Sequence, residues 1–208
     1  MDGVFMGKII KMISTLAVAV SLFLVGVLIT DRHYLRNEVI RLRVVAASDA
    51  DSDQIMKRKV KDEINIYLQK NMNAITSADA ARSYLRDSLK ELKSVADTVL
   101  MAEGSDHRAK VYLVREMADK RDYDTFSLPA GRYETLHIDI GPAQGQNWWC
   151  VVFPSLCMPE TVEAFAETAA ASGVSTGLTR TLMGDGPVRV RFFLLDLLGK
   201  AEKFFDFS

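Results

Sequence analysis

A stretch of 19 residues, Met12 to Thr30, carries no charged side chain. As an α-helix it would span about 28 Å at about 1.5 Å per residue, close to the roughly 30 Å hydrocarbon core of a bilayer. Lys8 and Lys11 precede it, which is also the layout of a secretory signal. The run is longer than a usual signal core of about 7–15 residues, and Leu28-Ile29-Thr30 is a poor small-x-small cleavage site. The expectation is a membrane anchor over residues 1–30; a cleaved signal and a buried soluble helix are the alternatives. Arg32, Arg36, Arg41 and Arg43 lie beyond the run, so the positive-inside rule alone would not export the C-terminal part. Long domains translocate largely regardless of charge, and an N-in, C-out orientation is expected.

The remainder has room for one ordinary domain. Twenty-six basic against 27 acidic residues give a formal net charge of −1 with no charge run, which argues against a nucleic-acid partner. Asp31 to Glu38 is polar and reads as a stalk ending near residue 40, with an exported domain over 41–208. Arg41–Ala47 has the β-branched content of a strand. Ser48-Asp49-Ala50-Asp51-Ser52-Asp53 then offers several helix caps. Met56, Val60, Ile64, Leu68 and Met72 form one apolar helical stripe. A second helix is expected from Ser77-Ala78-Asp79 through Leu85, Leu89, Leu92 and Val99 to a stop at Gly104.

The second half changes period. Lys110–Val114 reads as a strand. Arg132–Ile140 alternates, with Leu136, Ile138 and Ile140 inward and His137 and Asp139 on an exposed face. Gly141–Gly145 is a loop, and Trp148–Phe153, apolar on both faces, reads as a central strand. Thr161–Ala171 reads as helix and Gly173–Gly186 as loop; Val188–Leu198 fits either a strand or a helix. The fold class expected is α+β, with two long helices against a mainly antiparallel sheet.

Both tryptophans and both cysteines fall within Trp148–Cys157. In an exported domain Cys150 and Cys157 suggest a disulfide, which would contribute about 2–3 kcal/mol on a chain-entropy model; two buried thiols are the alternative. Trp148 and Trp149 should point to opposite faces of their strand. An aromatic on a rigid strand is a fitting hot spot, so Trp148, Trp149 and Asn147 are candidate partner-binding residues, with loops 141–145 and 155–156 beside them. Ser48, Asp49 and Gln54 are second candidates, although helix capping explains the first two. His33, His107 and His137 are not spaced as metal ligands, and Cys-x6-Cys matches no zinc pattern. Neither a Gly-x-Ser-x-Gly elbow nor a phosphate loop is present, so no catalytic residue, metal or cofactor is expected. Cys150 with His137 as base is a poor nucleophile pair where a second cysteine stands ready to pair.

Three stretches carry a family resemblance: Arg41-Leu42-Arg43-Val44-Val45-Ala46-Ala47-Ser48-Asp49, Leu128-Pro129-Ala130-Gly131-Arg132-Tyr133, and Asn147-Trp148-Trp149-Cys150 with Phe153-Pro154-Ser155-Leu156-Cys157. Together they resemble the stage II sporulation protein R family of endospore formers, over Arg41 to about Leu198. Ala47 stands where that family usually has Asn, and Met117-Ala118-Asp119-Lys120 lacks a Phe-Pro segment the family often shows. The resemblance implies a signalling protein, not an enzyme. It would be made in the forespore and exported toward the mother cell, where it triggers a membrane aspartic protease to process the sigma-E precursor. An exported cell-wall hydrolase and a structural envelope protein are the competing readings. No small-molecule substrate is implied.

Overall fold

The computed structural model describes residues 2–123, 126–154, 162–171, 174–183 and 189–206. The apolar run is helical, as expected, within a helix α1 (Asp2–Glu38). Phe5, Leu16, Leu22, Phe23 and Ile29 are all exposed along it. By length and composition the helix is able to cross a membrane.

Residues 31–38, read from sequence as a stalk, continue the same helix and join the domain. Leu35 and Val39 are buried, and Asp31, only 4% exposed, pairs with Arg191 at 2.5 Å. Arg32 meets Glu202 at 2.5 Å. Arg82 donates to the Asn37 carbonyl, and Arg115 to that of Arg36 at 2.7 Å. The polar residues that suggested a stalk are the ones bound by the domain's own charged groups. An exposed carbonyl end of a helix offers acceptors that arginine fills.

The main sheet has four strands in the order β2-β5-β1-β6. They are β1 (Ile40–Val45), β2 (Ala109–Ala118), β5 (Gly131–Ile140) and β6 (Asn147–Phe153). β1 runs parallel to β5 and antiparallel to β6; β2 runs antiparallel to β5. A short ladder pairs β3 (Arg121–Asp122) with β4 (Ser127–Leu128). The Trp148–Phe153 segment is therefore a sheet-edge strand among the described residues, not a central one. Its two-sided apolar character arises because layers cover both of its faces, not because a second strand flanks it.

On the first sheet face lie α2 (Asp51–Met72), α3 (Ala78–Asp87) and α4 (Leu89–Ala102). The α2 stripe holds: Val60, Ile64, Leu68 and Met72 are buried against Ile40, Leu42, Val44, Leu136, Ile138 and Ile140. The helix expected to start at Ser77 is capped there, Ser77 accepting from the Ala80 amide. It is broken at Ser88, so two shorter helices replace one long one. On the second face lie the end of α1 and α5 (Val162–Ala171), α6 (Thr176–Met183) and α7 (Arg189–Asp206). Leu35, Val39, Tyr133, Val151, Ala169, Leu178, Leu182 and Leu195 form a separate apolar cluster there. The Gly173–Gly186 segment, read as a loop, contains α6, and the ambiguous Val188–Leu198 falls largely in helix α7. Burying Leu178 and Leu182 stabilises a short helix whose sequence has weak periodicity. Gly199 lets α7 approach the β4–β5 turn, since a Cβ there would lie 1.7 Å from the Ala130 carbonyl oxygen.

Candidate functional site

The two candidate groups read separately from the sequence come together at one end of the sheet. After β1 the chain turns through Ala46, Ala47, Ser48 and Asp49, and this turn is zipped to the β5–β6 loop. Gly145 donates to the Ala46 carbonyl at 3.0 Å and Gln144 to that of Ala47 at 3.1 Å. The Gln146 amide donates to Asp49 Oδ1 at 2.7 Å. A Cβ on Gly145 would lie 2.2 Å from the Ser48 carbonyl oxygen, so glycine permits the close approach.

Ser48 and Asp49 are not explained by capping, contrary to the sequence expectation. The residue at the cap of α2 is Ala50, without a side-chain cap bond. Ser48 Oγ instead accepts from the Ala50 amide at 3.1 Å and donates to Asp53 at 2.6 Å. Asp49 is committed to Gln146. Gln54 donates to the Ser48 carbonyl at 2.8 Å. Lys57, missed from sequence, is only 7% exposed and donates to Gln54 Oε1 at 2.6 Å and to the Gln146 carbonyl at 3.0 Å. Burial lowers its pKa below the usual lysine range; Arg58 adds to this and Asp49 opposes it. The i, i+3 pair Gln54–Lys57 was the available signal, though it looked like ordinary helix surface.

Asn147, Trp148 and Trp149 open β6 directly after this junction. The tryptophans do point to opposite faces. Trp148 packs against the α2–α4 core with Lys61 Nζ 5.2 Å from its ring centroid. Trp149 lies on the second face beneath three guanidinium groups, Arg41 at 4.4 Å and Arg43 and Arg121 each at 5.3 Å. Both rings are half-buried. Asn147 Oδ1 accepts from Arg43 Nε and Nη2, each at 3.2 Å. Cys150 is buried on the face of Trp148. Cys157, Ser155 and Leu156 lie outside the described residues.

The second face holds the polar residues that the sequence reading placed on the surface. His137 is 2% exposed, not solvent-facing. It stacks on Tyr112 with centroids 4.8 Å apart and shares a 2.8 Å hydrogen bond between Nε2 and Glu116 Oε1. Asp139 accepts from the Tyr112 hydroxyl at 2.8 Å. Burial, then that carboxylate, pushes the Tyr112 phenol up to about 12. Burial alone would raise Glu116, but the hydrogen bond to His137 and its charge hold the carboxyl below its ordinary value. The imidazole escaped the alternation rule because strand partners and their side chains cover that face too.

Arg41 is the most unusual member. It is 1% exposed, with Tyr133 (5.4 Å) and Trp149 (4.4 Å) against its guanidinium. Among the described residues its Nε and Nη1 have no hydrogen-bond acceptor, and Trp149 Nε1 and His137 Nδ1 have no partner. Cation–π contact is worth about 0.5–2 kcal/mol, whereas desolvating a charge costs several kcal/mol. The two ring contacts do not offset that cost. The alternation in Arg41-Leu42-Arg43 was a legible sign of two arginines on one face; their burial was not.

The fold and site define an α+β domain that follows a helix long enough to cross a bilayer, with a polar, aromatic-lined sheet face and a clasped strand end. The profile of the stage II sporulation protein R family matches residues 36–163, and the chain belongs to that family. It is 37% identical over 121 residues to the stage II sporulation protein R of Bacillus subtilis (strain 168). That alignment covers 58% of this chain and 54% of the relative, so the chain spans about half the length of the curated relative it matches. No solved structure matches it.

Proposed function

We propose that this chain is an intercompartmental sporulation signal. It is exported from the forespore and triggers the mother-cell membrane aspartic protease that processes the sigma-E precursor. The domain sits outside the cytoplasm, either on its N-terminal helix or in the intermembrane space after cleavage. It acts by binding the protease's extracytoplasmic face, not by catalysis, and needs no cofactor. The observation that carries this reading is the family match, whose residues 36–163 include all four strands of the main sheet and the clasped Ser48–Gln146 end. The apolar N-terminal helix supports a route to the membrane. Asn147, Trp148, Trp149, Ser48 and Asp49 form the proposed contact region, with the first three at its centre.

Deleting the gene in its spore-former and following sigma-E precursor by immunoblot tests the proposal. Processing is expected to stop and to return when the gene is restored; normal processing in the deletion would defeat it. A cell-wall hydrolase would instead give turnover of peptidoglycan by the purified protein, and a structural envelope protein would leave sigma-E timing unchanged.

We further propose that Cys150 pairs with Cys157 in the exported protein. Mass spectrometry after alkylation without reductant is expected to find neither cysteine modified. Two alkylated thiols would exclude the pair.

A further inference from the structure

Among the described residues the buried guanidinium of Arg41 has no carboxylate partner. Tyr133 and Trp149 lie against it, while Nε and Nη1 find no acceptor. Three carboxylates described on this side of the sheet are engaged elsewhere. Glu116 is held by His137, and Asp139 by the Tyr112 hydroxyl. Asp196 accepts from the Ala130 amide and pairs with Lys200. The Trp149 indole N–H on this face can donate and has no partner among the described residues, while the Thr135 hydroxyl faces Glu116 and the Tyr123 hydroxyl faces Arg41. Burial raises the Tyr123 phenol, and the charge of Arg41 and its hydrogen bond to that hydroxyl oppose the rise. The result is a set of donors lacking one acceptor. Nε and Nη1 point to different sides of the guanidinium, so a carboxylate oxygen would accept from one of them in a single charge-assisted bond. Arg43, half-buried, and Arg121, exposed, add positive charge over the outer side of the Trp149 ring. Arg121 belongs to the β3–β4 ladder, whose register consists of two residue pairs.

We infer that Arg41 and Trp149 form a receptor for an Asp or Glu side chain of an acidic peptide segment on a partner protein, with Arg43 and Arg121 drawing that segment in. The inference rests on the reading that the chain acts by binding a protein. It names the chemistry of the contact: a carboxylate that supplies the counter-charge missing from the free domain.

The test uses the full chain in detergent micelles carrying Trp148→Phe, so that Trp149 is the remaining tryptophan. Its fluorescence is titrated at constant ionic strength with a blocked hexaglutamate peptide, a hexaglutamine peptide and inorganic phosphate. A saturable change with hexaglutamate alone is expected. Adding Arg41→Met should abolish it, and Arg43→Gln with Arg121→Gln should weaken it at least tenfold. Because Met fills the space without a charge, Arg41→Met should unfold at the same temperature as its parent or higher, so lost binding will not be lost folding. A response to hexaglutamine or phosphate equal to that of hexaglutamate would overturn the assignment. So would undiminished binding by Arg41→Met, or a lower unfolding temperature showing that Arg41 already has its counter-charge. This titration involves no protease, and the sigma-E immunoblot involves no peptide, so either proposal can fail alone.

Discussion

The two faces of the main sheet are built on opposite principles. Toward α2–α4, β1 and β5 present Ile40, Leu42, Val44, Leu136, Ile138 and Ile140, all buried among aliphatic side chains. Toward the other side the same strands present Arg41, Arg43, Tyr133, Thr135 and His137, of which only Arg43 is not fully buried. The first face is stabilised by apolar burial at about 25 cal/mol per Å². The second buries polar groups whose hydrogen bonds are incomplete, and each such group costs about 1–3 kcal/mol. A domain that needed only to fold would place apolar residues on both. The proposed carboxylate contact at Arg41 and Trp149 rests on this difference.

Neighbouring residues on β5 give the sharpest way to break the comparison. Leu136→Ala should destabilise the domain by about 2–5 kcal/mol, read as a lower urea midpoint, because it opens a cavity in the first face. A loss below about 1 kcal/mol would mean that this face is not the stabilising one. Next in size is a truncation pair. A chain lacking residues 1–30 should fold as a soluble domain. Removing residues 1–38 should cost a further 1.5–3 kcal/mol or so for Leu35 alone, besides the acceptors of Arg82 and Arg115. Equal midpoints for the two truncations would restore the reading of 31–40 as a stalk. The smallest effect is expected at Thr135→Val. It removes a fully buried hydroxyl, which faces Glu116, at nearly constant volume, so stability should change by no more than about 1 kcal/mol. A loss beyond 1 kcal/mol would show that the hydroxyl is satisfied and that the second face is an ordinary core.

Much of the first face was legible in the sequence. The Met56–Met72 stripe, the Ser77 cap and the alternation at Leu136, Ile138 and Ile140 each rest on a local period that burial then enforces. The opposite orientation of Trp148 and Trp149 followed from strand geometry in the same way. The second face was misread because the local pattern of a polar residue is the same whether water or protein covers it. His137 and Asp139 alternate as a solvent face would, and only Tyr112 and Glu116 from β2 reveal the cover. Ser48 and Asp49 matched a helix cap because capping depends on nearby residues, while their actual partners include Gln146, far along the chain.

By itself the sequence determined the apolar helix, the helical and strand periods, the family and the opposed tryptophans. These depend on residue order over a few turns or on motifs read directly. The tertiary structure alone decided that residues 31–38 belong to the domain and that the Trp148–Phe153 strand lies at a sheet edge. It also decided that Arg41 is buried with no counter-charge among the described residues. Each of those depends on what another, distant segment places beside the residue, and burial and charge pairing are properties of that neighbourhood rather than of local order.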